Sequence, residues 1–262
     1  MDLGLRDKVC VVTGASSGIG LLTARRLVEE GARVLLVGRR EEPLRAVLGE
    51  LGDRADYVAA DVTDPDADER IIATCAEQMG GVDVLVNNAG TSEVKALDEL
   101  SDEDWRAQYD LNVLAPMRLM RAAAPRMAAR GGGRIVNVTS SSAKRPSLTN
   151  AAYAVTKAAQ QSLSRVFADA YAKDGVLVNA VAPGPIGSEL WLGEGGLAEQ
   201  AAAARGIHRD EALDQQAAKV PMGRFGTPEE IADVIVFLAS ERSGYVTGAA
   251  WSVDGGVVAT IV

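Results

Sequence analysis

Apolar positions along the chain follow two alternating rhythms. Short runs, Val9–Val12, Arg33–Val37, Tyr57–Ala60, Val84–Val86, Arg134–Val138 and Leu177–Val181, are apolar on both faces. That is the pattern of strands covered on both sides in a parallel sheet. Between them the apolar positions return every three or four residues. This predicts helices over Ile19–Glu30, Glu41–Leu51, Asp66–Met79, Asp102–Arg130, Ala151–Lys173 and Pro228–Ser240. A last strand, Ala249–Val253, follows a turn at Tyr245–Gly248. The alternation predicts right-handed βαβ crossovers and a doubly wound α/β fold, a seven-stranded parallel sheet with helices on both faces. No linker divides residues 1–262, so a single domain is expected.

One stretch breaks the rhythm. Ser188–Val220 is punctuated by Gly193, Gly195, Gly196 and Gly206, with helical patterns over Leu197–Arg205 and Glu211–Lys219. An insertion of this length after a strand's carboxyl end is expected to be a substrate lid. The plainer alternative is a helical hairpin that serves packing or assembly.

Composition narrows the function classes. The chain is 47% apolar and 24% charged, with a net charge of −9 and no long basic run. Nucleic acid and anionic membrane surfaces are therefore not expected as partners. No apolar run reaches 18 residues, and Met1–Lys8 is polar, unlike a signal peptide. Cys10 and Cys75 have no metal-ligand neighbours, and His208, the one histidine, sits among charged residues. No metal site is expected, and a cytoplasmic location fits.

The first strand runs into Thr13-Gly14-Ala15-Ser16-Ser17-Gly18-Ile19-Gly20 and then a helix. Glycines there let the backbone approach a pyrophosphate, and a helix N-terminus offers free N–H groups. The second strand ends at Gly38, followed by Arg39 and Arg40. No carboxylate stands there to repel a 2′-phosphate, and a guanidinium can bind one, which favours NADP, with NAD as the alternative. Further along, Tyr153 and Lys157 lie four apart in a helical segment, about one turn apart on one face. A cation that near is expected to lower the phenol's pKa and let it pass a proton near neutrality.

Taken together, the glycine motif, Asn87-Asn88-Ala89-Gly90, Asn112, Ser140, Tyr153 with Lys157, and Pro183-Gly184 resemble the short-chain dehydrogenase/reductase family in its form of about 250 residues, a Rossmann-type fold. The resemblance covers Lys8 to Gly256. It implies that Gly14, Ser16, Ser17, Gly18, Ile19 and Gly20 cradle the cofactor. Arg39 would meet the ribose end and Asp61 and Val62 the adenine. Asn88, Ala89 and Gly90 would line the adenosine side, while Asn87 would tie strands together. Pro183, Gly184, Ile186 and Ser188 would lie at the nicotinamide. Of the four hydroxyls in Thr139–Ser142, the spacing to Tyr153 selects Ser140, which would hold the substrate oxygen. Tyr153 would be the general acid and base. Lys157 would hold the nicotinamide ribose, and Asn112 a water beside the lysine. Ser142, Asn150, Pro185, Trp191 and Leu192 are the expected substrate contacts.

The resemblance implies an NADP-dependent oxidoreductase acting on a ketone or secondary alcohol. Val220–Glu230 and Val253-Asp254-Gly255-Gly256 are also similar to 3-oxoacyl-ACP reductases, in which surface arginines meet the acidic carrier. Arg130 could serve so, but Lys173-Asp174 stands where a second arginine is common, and the lid is longer. The alternatives are therefore an acyl-ACP reductase or a dinucleotide-binding sensor without catalysis. The family also implies a homotetramer, with Asp102–Arg130 and Ala151–Lys173 pairing across a two-fold axis.

Overall fold

The computed structural model describes residues 1–259. Seven strands form one sheet: β1 (Val9–Thr13), β2 (Arg33–Gly38), β3 (Ala55–Ala59), β4 (Val84–Asn87), β5 (Gly133–Val138), β6 (Val176–Pro183) and β7 (Ala250–Val253). Their order is β3-β2-β1-β4-β5-β6-β7, and every neighbouring pair is parallel. The helices are α1 (Gly18–Glu29), α2 (Glu41–Leu51), α3 (Ala67–Met79), α4 (Asp102–Tyr109), α5 (Ala115–Ala129), α6 (Ala151–Tyr171), α7 (Glu189–Leu192), α8 (Leu197–Arg205), α9 (Arg209–Ala217) and α10 (Pro228–Ala239).

Alternation within β1 sorts the core into two layers. Val9 and Val11 pack with Leu35, Leu85 and Ile135 against Ile71 of α3, Leu119 and Met120 of α5 and Ala168 of α6. Cys10 and Val12 pack with Leu36, Val86 and Val136 against Leu27 of α1, Leu44 of α2 and Ile231 and Ile235 of α10. Both cysteines are buried and unpaired. The α10 entry is a capping box: Thr227 Oγ1 accepts from Glu230 N, Glu230 accepts from Thr227 N, and Pro228 opens the helix.

Three expectations need correction. The third strand begins at Ala55, two residues early, and it and β7 are half-exposed because each is a sheet edge. The long Asp102–Arg130 helix is interrupted by a π-helical turn at Asp110–Leu114. Periodicity misses this, because the chain keeps right-handed helical dihedrals at the flanking Tyr109 and Leu114. The helix predicted from Glu211 instead starts at Arg209, after His208.

Strand order reverses between β1 and β4, which are direct neighbours through Cys10–Val84 and Val12–Val86. In open α/β sheets the crevice beyond the carboxyl ends at such a reversal is where ligands bind. Helices α7 to α9 follow β6. A hydrogen bond from Val94 N to Gln200 Oε1 of α8 (2.8 Å) joins them to the loop after β4.

Candidate active site

A cleft of about 1260 Å³ opens along the carboxyl ends of the strands. Its floor at β1 is built by three glycines with separate jobs. Gly14 and Gly18 have φ of +65° and +53°, left-handed conformations that glycine adopts without strain. Gly20 is needed for closeness: a Cβ there would stand 2.5 Å from Asn88 Nδ2 and nearer still to the Gly14 carbonyl oxygen. Ser17 precedes α1 without a side-chain cap, and no acid lies in the first turn, so the first N–H groups stay open to an anion. Thr13 fixes the opposite wall, with Oγ1 accepting from Asn88 N and Ala89 N, both at 3.0 Å.

Arg39 and Arg40 are exposed at the end of β2 and line the cleft. Neither makes an ion pair among the described residues. Burial pushes the Asp61 carboxyl up, but two bonds from Thr63 and the charge of Arg39 outweigh it, and its pKa ends below the ordinary value. The uncapped helix start, the glycine cradle and this uncommitted guanidinium fit a dinucleotide with a charged ribose end.

Ser16, Ile19, Val62, Gly90, Pro183, Gly184, Pro185, Ile186, Ser188, Ser142, Asn150 and Trp191 also line the cleft. Trp191 meets Phe225 edge-on, with ring centroids 5.2 Å apart. Asn88 lines it too, but its amide is committed to the Thr13 carbonyl (2.9 Å) and the Gly14 carbonyl (3.3 Å). Asn87 ties β4 to β5 through Asn137 Oδ1, at 2.7 Å. Leu192 was expected among the substrate contacts and is not in the lining. It is exposed, and its carbonyl accepts from Arg209 (2.7 Å). Arg130 is likewise displaced from the mouth. It follows α5 and donates to the Gly80 carbonyl (3.0 Å), just before β4 begins and so at the other end of the sheet. Arg145 and Lys219 are among the cations that do line the cleft.

Ser140, Tyr153 and Lys157 converge on the cleft. Ser140 follows β5, and its Oγ accepts from Ser142 N (3.1 Å). Burial pushes the Tyr153 phenol above its ordinary pKa, and the Ser140 hydroxyl pulls it partly back. The expected lowering of the phenol by Lys157 is thus not the ruling effect: burial outweighs it at Tyr153, although that residue is only part-buried, and Lys157 is fully buried. Burial lowers Lys157 itself to about 7. Its Nζ donates to the Val138 carbonyl (2.9 Å) and to Gln160 Oε1 (3.0 Å).

Asn112 sits in the π turn, fully buried and outside the cleft lining. Its Nδ2 donates to Gln108 (2.8 Å) and Thr156 (3.2 Å), while Oδ1 has no partner. That Oδ1 and Lys157 Nζ each lie 3.4 Å from where a Gly90 Cβ would stand, so the glycine leaves a space beside both. Sequence reading passed over Gln160 and Gln200. The first could have been found from its spacing, three residues after Lys157 on the same helix face. The second links α8 to the loop after β4 and carries no local signal. Among the described residues no metal-ligating cluster occurs, and no helix is long and apolar enough to cross a membrane.

Residues 14–258 match the family model described as Enoyl-(Acyl carrier protein) reductase. L-sorbose reductase from Gluconobacter frateurii, solved with NADPH and L-sorbose, superimposes with a TM-score of 0.92 at 38% identity, over 100% of both chains. Cis-4-hydroxycyclohexanecarboxylate dehydrogenase of Sinomonas cyclohexanicum is 38% identical over 99% of this chain and 100% of its own. A 3-oxoacyl-[acyl-carrier-protein] reductase of Thermotoga maritima is 37% identical over 97% and 99%. With a seven-stranded parallel sheet, a glycine cradle at the strand reversal and matches of this extent, the chain belongs to the short-chain dehydrogenase/reductase family of oxidoreductases.

Proposed function

We propose that the protein is an NADP-dependent oxidoreductase that interconverts a small ketone and its secondary alcohol. The observation that carries the reading is one cleft holding both the glycine cradle with Arg39 and the Ser140, Tyr153 and Lys157 side chains. Gly14, Gly18 and the α1 N-terminus would seat the pyrophosphate, and Arg39 the 2′-phosphate. The bound nicotinamide supplies the hydride in reduction and accepts it in oxidation.

The chain's own residues handle the oxygen and its proton. Ser140 Oγ donates a hydrogen bond to the carbonyl oxygen and stabilises the negative charge that develops there. Tyr153 delivers its phenolic proton to that oxygen in reduction and takes it back in oxidation. A phenol held above its ordinary pKa is protonated before turnover, the form reduction requires. The Lys157 ammonium stabilises the phenolate left behind, and the space beside Asn112 and Gly90 offers a path for reprotonation from solvent. Trp191, Leu190 and Pro185 would shape an apolar wall opposite the polar Ser92, Ser142 and Asn150. The relatives named for L-sorbose and for cis-4-hydroxycyclohexanecarboxylate support a small hydroxylated substrate, the 3-oxoacyl-[acyl-carrier-protein] reductase relative keeps an acyl carrier as the alternative, and the remoteness of Arg130 favours the first. Val155 and Val166, exposed on α6, support self-association through that helix, with a homotetramer as the expected assembly.

A screen of ketones with NADPH and of alcohols with NADP⁺, followed by nicotinamide absorbance, tests the reading. Arg39→Ala should weaken NADP binding by about ten- to a hundredfold, the value of a charge-assisted contact, and leave NAD nearly unchanged. Binding without turnover on any ketone would instead favour the sensor. Equal losses for both coenzymes would make Arg39 structural.

A further inference from the structure

We infer that Gln160 is a positioning residue for Lys157: its side-chain oxygen keeps the buried ammonium charged and leaves one N–H for the cleft. The inference rests on the reading that Lys157 works in the reaction. An ammonium has three N–H donors and no acceptor. The Val138 carbonyl at the end of β5 takes one at 2.9 Å, and Gln160 Oε1 takes a second at 3.0 Å. The third remains for the space beside Gly90, which Asn112 Oδ1 also borders.

Gln160 is as buried as the lysine, at 1% exposure against 2%. An amide carried that deep costs stability unless it is hydrogen-bonded. The Lys157 ammonium is the partner its side chain meets. Lysine at this depth also needs acceptors, since burial alone lowers its pKa to about 7.

No charged neighbour supplies that support. Tyr153, on the same helix, is the titratable group beside Lys157, its ring centroid 5.6 Å from Nζ. Val138 of β5, Gly90 of the β4 loop and Asn112 of the π turn bring only neutral groups. Asp61, Glu93, Asp110 and Glu189 line the same cleft, as do Arg39, Arg40, Arg145 and Lys219, but among the described residues none of them hydrogen-bonds the ammonium. Among the described residues, the one side-chain oxygen bonded to the ammonium is that of Gln160. It and the strand carbonyl together favour the charged form.

The test uses the full chain with carbon-13 at the lysine ε position. The Lys157 signal is assigned by its loss in Lys157→Met and titrated by NMR without coenzyme. In Gln160→Leu its midpoint should fall by about one pH unit or more, the size expected for losing a hydrogen bond to a charge. In Gln160→Glu, which keeps the oxygen and adds a charge, it should rise. The alkaline limb of kcat, measured with NADPH and a ketone that the wild type reduces, should move in the same directions. An unmoved midpoint in a folded Gln160→Leu protein overturns the inference. If that variant does not fold, an unmoved midpoint in Gln160→Glu overturns it. Shifted midpoints in a protein that reduces no ketone would sustain the Gln160 contact and remove the catalytic reading instead.

Discussion

Lys157 Nζ stands 5.6 Å from the centroid of the Tyr153 ring, with the two residues one turn apart on α6. That separation is within cation–π range. The N–H groups of the lysine bond Val138 and Gln160. We predict that Tyr153→Phe lowers kcat by about 10²–10⁴-fold, the usual worth of a general acid. NADP affinity should stay within a few-fold, because the ring packing is kept. Steady-state kinetics with a binding titration checks both, and kcat within a few-fold of wild type would sink the assigned role.

Lys157 also leaves a signature in stability. Its folded pKa of about 7 lies below the ordinary 10.5. Between those values the unfolded chain binds more protons, so the lysine's destabilising contribution is complete below about pH 7 and fades as pH rises toward 10.5. Lys157→Met removes this dependence. Relative to the variant, the wild type should gain more than about 1 kcal/mol between pH 6 and pH 10, since each unit of displacement is worth about 1.4. Other titrating groups cancel in the comparison. Parallel denaturation curves for the two proteins across that range would show that the lysine is not displaced.

The cradle glycines should separate by mechanism. At Gly20 a Cβ would stand 2.5 Å from Asn88 Nδ2 and press on the Gly14 carbonyl, backbone that cannot withdraw. At Gly18 the nearest atom would be Ser188 Cβ at 3.6 Å, an ordinary contact, so only the left-handed backbone at φ +53° resists. Gly20→Ala is expected to cost about 1–3 kcal/mol of stability and to abolish dinucleotide binding. Gly18→Ala should cost about 1–2 kcal/mol from backbone strain and keep measurable binding. Thermal melts and coenzyme titrations rank the two, and the reverse order would refute this account of the turn.

The fold was legible because parallel strands covered on both faces and amphipathic helices write different periods, and a π turn does not. Asn112 was found by its motif, yet the extra residue that buries it leaves no mark on a three-to-four-residue rhythm. Edge strands blurred for a related reason: β3 is covered on fewer sides, so its apolar run is weaker. The candidate positions Ser140, Tyr153 and Lys157 could be brought together from sequence because their spacing is fixed along one helix and the strand before it, and the fold places all three in one cleft. The balance of their pKa values was not, since it depends on how much water the fold removes from Tyr153 and Lys157. Contacts between distant segments, such as Leu192 with Arg209 and Val94 with Gln200, have no local signature at all.

The last of those contacts bears on the segment from Ser188 to Val220. Gln200 of α8 accepts from Val94 N at 2.8 Å and donates to the Gly195 carbonyl at 2.7 Å, joining the insertion to the far wall of the cleft. Arg209 holds the α7 end through the Leu192 carbonyl. If α7 to α9 form a lid, opening must break the Val94 bond, since Val94 belongs to the loop after β4 and does not travel with them. We predict that NADP with a turned-over alcohol increases hydrogen-exchange protection across this segment and at Val94. Gln200→Leu should raise KM for the substrate about threefold or more, with a smaller change in kcat, because a single neutral hydrogen bond is worth about 0.5–1.5 kcal/mol. Trp191→Ala should shift preference toward bulkier ketones, since the indole stands in the lining against Phe225. Protection unchanged by either ligand would make the insertion a rigid packing element. A uniform loss across ketone sizes would assign Trp191 to the scaffold and not to the choice of substrate.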